Sequence, residues 1–257
     1  LLGCMGLVEP VIALLQFTTI LPLGKTAPFD AFARRTWLYP LSGYVTGGIA
    51  GLVLLFMPLP PLPAAALGIS VVFLLTGCNH LDGLLDLGDG LMAHGSREIR
   101  IRALTDRTIG TGGVAAGMMV TLISVCSLAA VPVAAGAILV AEVAGKFAMG
   151  LMTIFGRPFH EGLHASLHAR ARPWFLVPAA ILLIPLCLIP LPPLSLVLSA
   201  LVMVGVPVCL ILLAGRLFGG VNGDVTGASG EIVRAGVLLV IAGTIDGAGV
   251  SGFLPVW

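Results

Sequence analysis

Charged residues are scarce in this chain. They make up 10% of its 257 residues, against about 25% in soluble domains. With 13 basic and 12 acidic residues the net charge is only +1, and no basic tract indicates nucleic-acid binding. The five cysteines form no CxxC pair, so the usual zinc or redox signature is absent from the sequence. Hydrophobic residues supply 58% of the chain, in repeated runs that approach bilayer length, which predicts a polytopic membrane protein.

We predict an all-α bundle of about seven transmembrane helices, forming one membrane-embedded domain over residues 1–257. Residues 5–23 could be a span or a half-inserted helix, because Glu9, Pro10 and Gln16 interrupt their apolar run. Each predicted span approaches the roughly 20 residues that a crossing helix needs. The predicted spans are 38–57, 62–79, 113–131, 133–152, 174–191, 195–214 and 233–252.

Positive charge marks one face of the predicted bundle. The short loops at 58–63, 130–133 and 190–194 contain no charged residue, whereas every Lys and Arg lies in or near the other loops, with Arg216 and Arg234 in the loop before the last span. The positive-inside rule makes the charged face cytoplasmic. We therefore expect the acidic, glycine-rich loops and any active site to face the cytoplasm from the cell membrane. Lipid is the partner that the composition implies, and homo-oligomerisation is left open.

Three of the twelve acidic residues fall within eight positions, directly after the second predicted span. Asp82, Asp86 and Asp89 are spaced i, i+4, i+7, so a helix that continued past residue 79 would place them on one face. Crowded carboxylates near hydrocarbon repel one another and are costly to bury, and a divalent cation relieves both problems. Oxygen ligands without cysteine favour Mg²⁺ or Mn²⁺ over Zn²⁺. The cluster predicts a magnesium site, with a solvated acidic helix end as the alternative.

A second polar stretch, DRTIGTGG at 106–113, opens the third predicted span. Glycine-rich backbone at a helix N-terminus is suited to binding anions. Asp106 is a candidate metal ligand or general base and Arg107 a candidate phosphate contact. The backbone amides of Gly110 and Gly113 would complete the anion site, unless the stretch is an ordinary loop.

A third stretch, GGVNGDVTGASGE at 219–231, precedes the last predicted span. Its two acids, Asp224 and Glu231, are again seven residues apart. A flexible linker would explain this stretch alone, but three acidic, glycine-rich clusters on one face favour a shared site.

A few charged residues fall inside the predicted spans, or toward the face that has the uncharged loops. Glu142 and Lys146 are i, i+4 within the fourth span, which favours an intramembrane ion pair, with a phosphate contact from Lys146 as the alternative. Asp246 lies toward the opposite face, and we predict no role for it.

Two other functions have a basis in the sequence. His160-Glu-Gly-Leu-His164 matches HExxH, the signature of zinc proteases. That motif must lie on a regular helix to turn both histidines toward one metal, whereas Pro158 precedes it and Gly162 interrupts it. Solvated loop histidines, or contact to a nucleotide-like ligand, are the other interpretations. A cation-coupled transporter is the second alternative, although its acids would lie near the bilayer midplane instead of at span ends.

Taken together, these stretches resemble the cobalamin synthase family, the adenosylcobinamide-GDP ribazoletransferases. The family segment GG-x-HLDGLaDt-x-DG reads TGCNHLDGLLDLGDG at 76–90, and F-x-T-x-LP reads FTTILP at 17–22. The late motif GG-x-TGD-x-x-GA-x-x-E matches 219–231, except that Asn222 replaces threonine. In the family's D-S-R-x-G-x-x-G segment the arginine has moved one position, to Arg107.

The resemblance implies an enzyme of cobalamin (vitamin B12) biosynthesis. It implies transfer of the cobinamide-phosphate moiety of adenosylcobinamide-GDP to α-ribazole or its 5′-phosphate, with release of GMP. The reaction would be a Mg²⁺-dependent phosphotransfer at the cytoplasmic edge of the membrane.

The residue patterns and the resemblance together define the expected site. The expected metal ligands are Asp82, Asp86, Asp89, Asp224 and Glu231. The expected catalytic carboxylates, one of them the general base, are Asp89, Asp106 and Asp224. The expected substrate contacts are His80, Arg107, Gly110, Gly113, Lys146, Gly220, Asn222 and Gly223.

Overall fold

The computed structural model describes residues 5–245, which form helices and contain no strand. The all-α prediction is therefore confirmed over this range. Short 3-10 turns occur at Thr36–Leu38, Pro173–Phe175 and Ile184–Leu188. The helices are α1 (Met5–Thr18), α2 (Phe29–Ala33), α3 (Tyr39–Phe56), α4 (Pro61–Leu75), α5 (Asn79–Met92), α6 (Arg97–Leu104), α7 (Thr111–Ala129), α8 (Ala134–Phe155), α9 (Leu163–Arg170), α10 (Leu176–Ile181), α11 (Pro193–Leu217) and α12 (Gly223–Ile245).

Five stretches in the described part of the chain are long and apolar enough to cross a membrane: α7, α8, α11, α12 and α3 with the turn before it. Two bent helix pairs raise the number to seven if each pair counts as one span. These are α4 with α5, which meet at 94°, and α9 with the segment that follows it, at 90°. The prediction of about seven spans is confirmed in this form. The 14 residues of α1 reach about 21 Å, too short to cross the bilayer core.

Two consecutive left-handed residues separate α4 from α5. Gly77 has φ 59° and Cys78 has φ 58°, a region that glycine adopts freely and other residues rarely. The helix ends there and begins again at Asn79 in a new direction. The second span therefore does not continue as one helix past residue 79, yet the three aspartates of the cluster still share a helix, α5.

Helix α8 forms the centre of the bundle, and 83% of its membrane-length apolar stretch is buried. A stripe of glycines on α3, four residues apart, packs against it. A Cβ atom on Gly43 would lie 2.6 Å from Val143 Cα, and one on Gly51 would lie 2.9 Å from the Ala135 carbonyl oxygen. Because only glycine permits this approach, the stripe fixes the contact between α3 and α8, as small residues do in membrane helix pairs.

The last helix begins earlier than the sequence predicted. Helix α12 starts at residue 223, whereas the predicted span was 233–252. The prediction that the glycine-rich acidic stretch is a loop before the span is therefore wrong from residue 223 onward. Its glycines serve close packing, because a Cβ atom on Gly145 of α8 would lie 2.7 Å from the Gly230 carbonyl oxygen. The end of the predicted span, including Asp246, lies outside the described residues.

Two predictions about charges inside the bundle are also wrong. Arg234 is 1% exposed within α12 and is not a cytoplasmic loop residue. Its guanidinium lies 3.3 Å from the Glu142 carboxylate and also pairs with Glu231. The ion-pair partner of Glu142 is therefore Arg234, and not Lys146 as its i, i+4 spacing suggested.

Candidate active site

A cavity of about 540 Å³ lies where the sequence-predicted polar stretches meet. Its volume is in the range of about 300–1,000 Å³ that small-molecule sites occupy. Its walls come from α5, the loop before α7, the segment at 160–165 and the start of α12. We call it the acidic cavity, since four carboxylate residues line it: Asp82, Asp86, Asp106 and Asp224.

The acidic cavity depends on a close approach between α5 and α12. A Cβ atom on Gly83 would lie 2.6 Å from the Asp224 carbonyl oxygen. Glycine at this position of α5 therefore lets the first turn of α12 press against the helix. This contact brings Asp82 and Asp86 to the same cavity as Asp224, although about 140 residues separate them along the chain.

Asn222 starts α12 and orients Asp224. Its side-chain Oδ1 accepts a hydrogen bond from the Val225 backbone N–H at 3.0 Å, which is the geometry of a helix N-cap. Its Nδ2 donates to Asp224 Oδ2 at 2.6 Å. Threonine, the residue of the family motif, could cap the helix but could not supply the amide donor. Asn222 also lines the acidic cavity, as does the neighbouring Gly223.

Asp89 caps a different helix and does not line the acidic cavity. Its carboxylate oxygens accept hydrogen bonds from the Gly110 N–H at 2.7 Å and the Gly113 N–H at 2.8 Å. These are the backbone amides that the sequence predicted would bind phosphate. The positive end of α7 attracts the nearest carboxylate, so the predicted anion site is filled by a side chain of the protein itself.

The loop before α7 carries Asp106 and Arg107 into the acidic cavity. Asp106 Oδ1 accepts a hydrogen bond from the Thr108 backbone N–H at 3.1 Å. This bond stabilises the ionised form and lowers the pKa of Asp106 below its usual value. Asp106 therefore carries a negative charge at neutral pH, beside the positive charge of Arg107.

Besides Asp89, Gly110 and Gly113, four predicted site residues do not line the acidic cavity: Glu231, Gly220, Lys146 and His80. Glu231 is 2% exposed and pairs with Arg234 inside the bundle. Gly220 packs against the Arg157 carbonyl oxygen. Lys146 is 4% exposed and lies against His80, below the polar end of the bundle.

The HExxH segment is not a zinc-binding helix. Helix α9 begins only at Leu163, so the first part of the motif lies outside it. His164 Nε2 is 2.8 Å from the Gly156 carbonyl oxygen, and its Nδ1 is 3.1 Å from Thr226 Oγ1. Both ring nitrogens of His164 are therefore engaged within the protein, and the geometry that the protease alternative requires is not present.

Two histidines were missed as site residues. His160 and His164 line the acidic cavity. They reach it because the Val221 N–H donates to the Arg157 carbonyl oxygen at 2.8 Å, holding the 156–162 segment beside the start of α12. The HEGLH spacing was the signal available in the sequence, and contact to a nucleotide-like ligand was one of its interpretations, beside solvated loop histidines.

A second cavity of about 420 Å³ adjoins the acidic cavity and shares Leu163, His164 and Gly223 with it. Of its lining, only His80 and Gly223 were predicted as site residues. The FTTILP motif at 17–22 was the only sequence signal for the N-terminal part of this wall. Its other lining residues are Gln16, Phe17, Tyr39, Asn79, Met149, Leu167, Thr226 and Gly227.

The acidic cavity suits a hard metal ion in its donor chemistry. Within residues 5–245, no three His, Cys, Asp or Glu side chains are already gathered around one metal position. Mg²⁺ does not need such a cage, because it keeps several waters and is usually held by one or two carboxylates together with substrate phosphates. Four carboxylate residues and no thiol line the cavity, which fits this mode of binding.

Comparison with known proteins identifies the family of the chain. Residues 10–242 match CobS, the cobalamin-5-phosphate synthase family.

Three relatives are named adenosylcobinamide-GDP ribazoletransferase. That of Halorubrum lacusprofundi is 35% identical over 239 residues, covering 87% of this chain and 93% of the relative. That of Methanosarcina mazei is 35% identical over 93% of this chain and 92% of its own length. That of Thermococcus gammatolerans is 38% identical over 89% of this chain and 95% of its own length. No solved structure matches the chain. Because the family model covers most of the chain and these relatives share more than 30% identity with it, the chain belongs to the cobalamin-5-phosphate synthase family.

Proposed function

We propose that this protein is a membrane-embedded transferase that joins the cobinamide phosphate of adenosylcobinamide-GDP to α-ribazole or its 5′-phosphate and releases GMP. Family membership and the shared name of the relatives support this activity. The structural observation that carries it is the meeting of Asp82, Asp86 and Asp224 with Arg107 on one cavity. Three distant sequence stretches supply these groups, and acids together with a guanidinium suit a pyrophosphate-linked substrate.

The proposed step is a single phosphoryl-type displacement. A ribose hydroxyl oxygen of the acceptor forms a bond to the phosphorus on the cobinamide side of the pyrophosphate. The bond from that phosphorus to the bridging oxygen breaks, and GMP leaves with the electron pair. The hydroxyl proton passes to a carboxylate of the protein, which acts as general base.

Asp224 is the best placed general base of the three candidates. The carboxylate of Asp89 is occupied by the Gly110 and Gly113 N–H groups at the start of α7. Asp106 has a lowered pKa, which makes it a weak base at neutral pH. Asp224 lines the acidic cavity, and the amide of Asn222 holds one of its oxygens at 2.6 Å. Its carboxylate is therefore oriented and within the space that the acceptor would enter.

Arg107 and the start of α12 are the candidate phosphate contacts. The guanidinium of Arg107 lies on the cavity wall and presents several N–H donors. Gly223 lies at the N-terminus of α12 with open space where a side chain would be. Because a helix N-terminus has unpaired N–H groups and partial positive charge, it favours phosphate oxygens.

We propose Asp82 and Asp86 as ligands of Mg²⁺, with Mn²⁺ as the alternative, in the same cavity as Asp106 and Asp224. A bound Mg²⁺ neutralises negative charge on the pyrophosphate and on the leaving GMP. The carboxylates repel one another without a cation, so they provide an electrostatic reason for the ion to bind.

We further propose that the acidic cavity faces the cytoplasm from the cell membrane. Basic residues surround the end of the bundle on which it lies. Arg107 is on its wall, Arg97 reaches the backbone of Arg216, and Arg100 donates to the Leu91 carbonyl oxygen at 3.0 Å. This clustering at one end supports the orientation that the positive-inside rule predicts.

The test is a transfer assay with detergent-purified protein, adenosylcobinamide-GDP, α-ribazole 5′-phosphate and Mg²⁺. We expect GMP and a cobalamin product by chromatography, with both lost on adding EDTA and both reduced by Asp86→Asn at the same Mg²⁺ concentration. Glu98→Gln is the matched control, because Glu98 is an exposed carboxylate outside both cavities. Failure of well-folded protein to form product would refute the proposed activity. Full Mg²⁺-dependent turnover by Asp82→Asn and Asp86→Asn would refute the proposed metal ligands alone.

A further inference from the structure

The second cavity has a mainly apolar wall next to the proposed reaction centre. Phe17, Tyr39, Met149 and Leu167 contribute to that wall. Gly223 lies on the walls of both cavities, one residue before Asp224. A molecule in the second cavity would therefore extend a substituent past Gly223 toward the proposed base.

Two of the polar residues on this wall already have partners. Gln16 donates to the Lys25 carbonyl oxygen at 3.0 Å and accepts from the Ala27 N–H at 2.8 Å. The Thr226 hydroxyl donates to the Asn222 carbonyl oxygen at 2.9 Å. The cavity therefore offers few free hydrogen-bonding groups to a ligand.

His80 is the exception, and Lys146 fixes its chemistry. His80 is 7% exposed and lines the cavity, and its Nδ1 lies 3.1 Å from Lys146 Nζ. An ammonium group donates hydrogen bonds and accepts none, so Nδ1 is the acceptor. The single ring proton is therefore on Nε2.

The Nε2–H of His80 is a donor on the cavity wall and is available to a ligand. Within residues 5–245 it has no hydrogen-bond partner, while the opposite edge of the ring is held by Lys146. A ligand with a matching acceptor could pair with this donor inside a cavity whose wall is mainly apolar.

On the basis of the proposed function, we infer that the second cavity binds the heterocycle of the ribazole acceptor and that His80 Nε2–H donates to its unsubstituted ring nitrogen. The dimethylbenzimidazole of a ribazole is flat, uncharged and largely apolar. Its second ring nitrogen carries the ribose, so the remaining nitrogen only accepts. The His80 Nε2–H in a mainly apolar pocket matches this pattern.

The guanine of the other substrate fits this cavity poorly. Its edges carry several donors and acceptors, and each one buried without a partner would weaken binding. Gln16, His164 and Thr226 on its wall already have hydrogen-bond partners, which leaves few groups for the edges of guanine. The corrin ring of cobinamide is too large for the space. The ribazole heterocycle is therefore the occupant that the cavity chemistry favours.

The test compares two acceptors that differ at one ring atom. One is α-ribazole, and the other is the matching dimethylindole riboside, which has C–H in place of the accepting nitrogen. With adenosylcobinamide-GDP saturating, we expect the wild type to prefer α-ribazole about tenfold in kcat/KM, the size of one hydrogen bond. His80→Phe should lose this preference while the KM for adenosylcobinamide-GDP stays unchanged. His80→Gln, which keeps an N–H donor, should retain part of it.

The role of Lys146 as a positioning residue has a spectroscopic test. In nitrogen NMR of labelled protein, the His80 ring of the wild type should carry its proton on Nε2. Lys146→Met should give a mixture of tautomers and reduce the preference for α-ribazole. Lys25→Met, at an exposed lysine, should change neither property.

The outcomes separate this inference from the proposed function. If His80→Phe still prefers α-ribazole, or if it raises the KM for adenosylcobinamide-GDP instead, the assignment of the cavity is wrong. If the wild type makes no product with either acceptor, the proposed function fails. Calorimetric binding of α-ribazole to the wild type and to His80→Phe then still decides the occupant: equal affinities would overturn the inference, and a loss of about tenfold would support it.

Discussion

Arg234 of α12 and Glu142 of α8 form an ion pair inside the helical bundle, with 3.3 Å between Nη1 and Oε1. The two residues are 1% and 3% exposed. Glu231 supplies a second carboxylate to the same guanidinium, and the ring of Phe73 lies 5.0 Å from its central carbon. Arg234 therefore joins α12 to α8 and α4 through one side chain. Ionised side chains that are buried in this way destabilise the fold unless each is paired with an opposite charge.

Removing Arg234 should destabilise the fold strongly. Arg234→Met would leave Glu142 and Glu231 buried without their ion-pair partner, and we expect a loss of about 3–5 kcal/mol in the free energy of unfolding. The measurement is unfolding in detergent, followed by circular dichroism. Arg216→Met is the control, because Arg216 is exposed at the end of α11 and should change stability by less than about 0.5 kcal/mol. Equal effects of the two substitutions would contradict the structural role of the ion pair.

Asp89 should contribute to the stability of the fold and not to the binding of Mg²⁺. Asp89→Ala removes both hydrogen bonds to the Gly110 and Gly113 amides, and we expect a loss of about 1–2 kcal/mol, as for other N-caps. The same denaturation assay measures it. Protein that remains folded should need the same Mg²⁺ concentration for half-maximal activity as the wild type. A large rise in that concentration would restore Asp89 as a metal ligand.

Asp86 should show the opposite pattern. Asp86 lines the acidic cavity and accepts no hydrogen bond from a helix end. We expect Asp86→Asn to leave the unfolding free energy within about 0.5 kcal/mol of the wild type. The Mg²⁺ concentration for half-maximal activity should rise at least about tenfold, since a ligand charge is lost. Titration of activity with Mg²⁺ checks this, and an unchanged midpoint would remove Asp86 from the proposed metal site.

The sequence predicted the residues of the acidic cavity better than the path of the chain between them. The spacing of Asp82 and Asp86 and the short polar segments were readable, because charge is rare in a membrane protein and its positions carry information. The bend at Gly77 and Cys78 was not readable, since a non-glycine residue in a left-handed conformation has no clear sequence signal.

The start of α12 was missed for a related reason. Glycine lowers helix propensity in water, so the stretch from residue 223 to 231 favoured a loop. Inside the bundle, contacts such as that of Gly230 with Gly145 reward the absence of a side chain. Arg234 was placed in a loop because a lone arginine is unfavourable in a span, and its partner Glu142 is distant in sequence.

Glu161 should be dispensable for the transfer reaction. In a zinc protease the glutamate of HExxH is the general base, but here it is exposed and lies outside the regular part of α9. We expect Glu161→Gln to retain transferase activity within about twofold, measured as GMP release. Loss of activity with this substitution, together with inhibition by a zinc chelator, would revive the protease alternative.

Asn222 connects the start of α12 to the proposed general base, and two substitutions separate its two hydrogen bonds. Asn222→Thr keeps a capping oxygen for the Val225 N–H but loses the longer amide donor that reaches Asp224. We expect its unfolding free energy to stay within about 0.5 kcal/mol of the wild type. Its kcat should be several-fold lower, because Asp224 is less well oriented. Asn222→Ala loses both bonds and should also lower stability by about 1 kcal/mol.

Asp224→Asn sets the scale for these effects. Removing a general base lowers kcat by about 10²–10⁴-fold, so this variant should be far slower than Asn222→Thr while remaining folded. Single-turnover measurement of GMP release, with both substrates saturating, compares the three variants directly. If Asp224→Asn is no slower than Asn222→Thr, Asp224 is not the base. Since Asp89 is held by α7 and the pKa of Asp106 is lowered, the acceptor proton would then leave through water or the substrate phosphate.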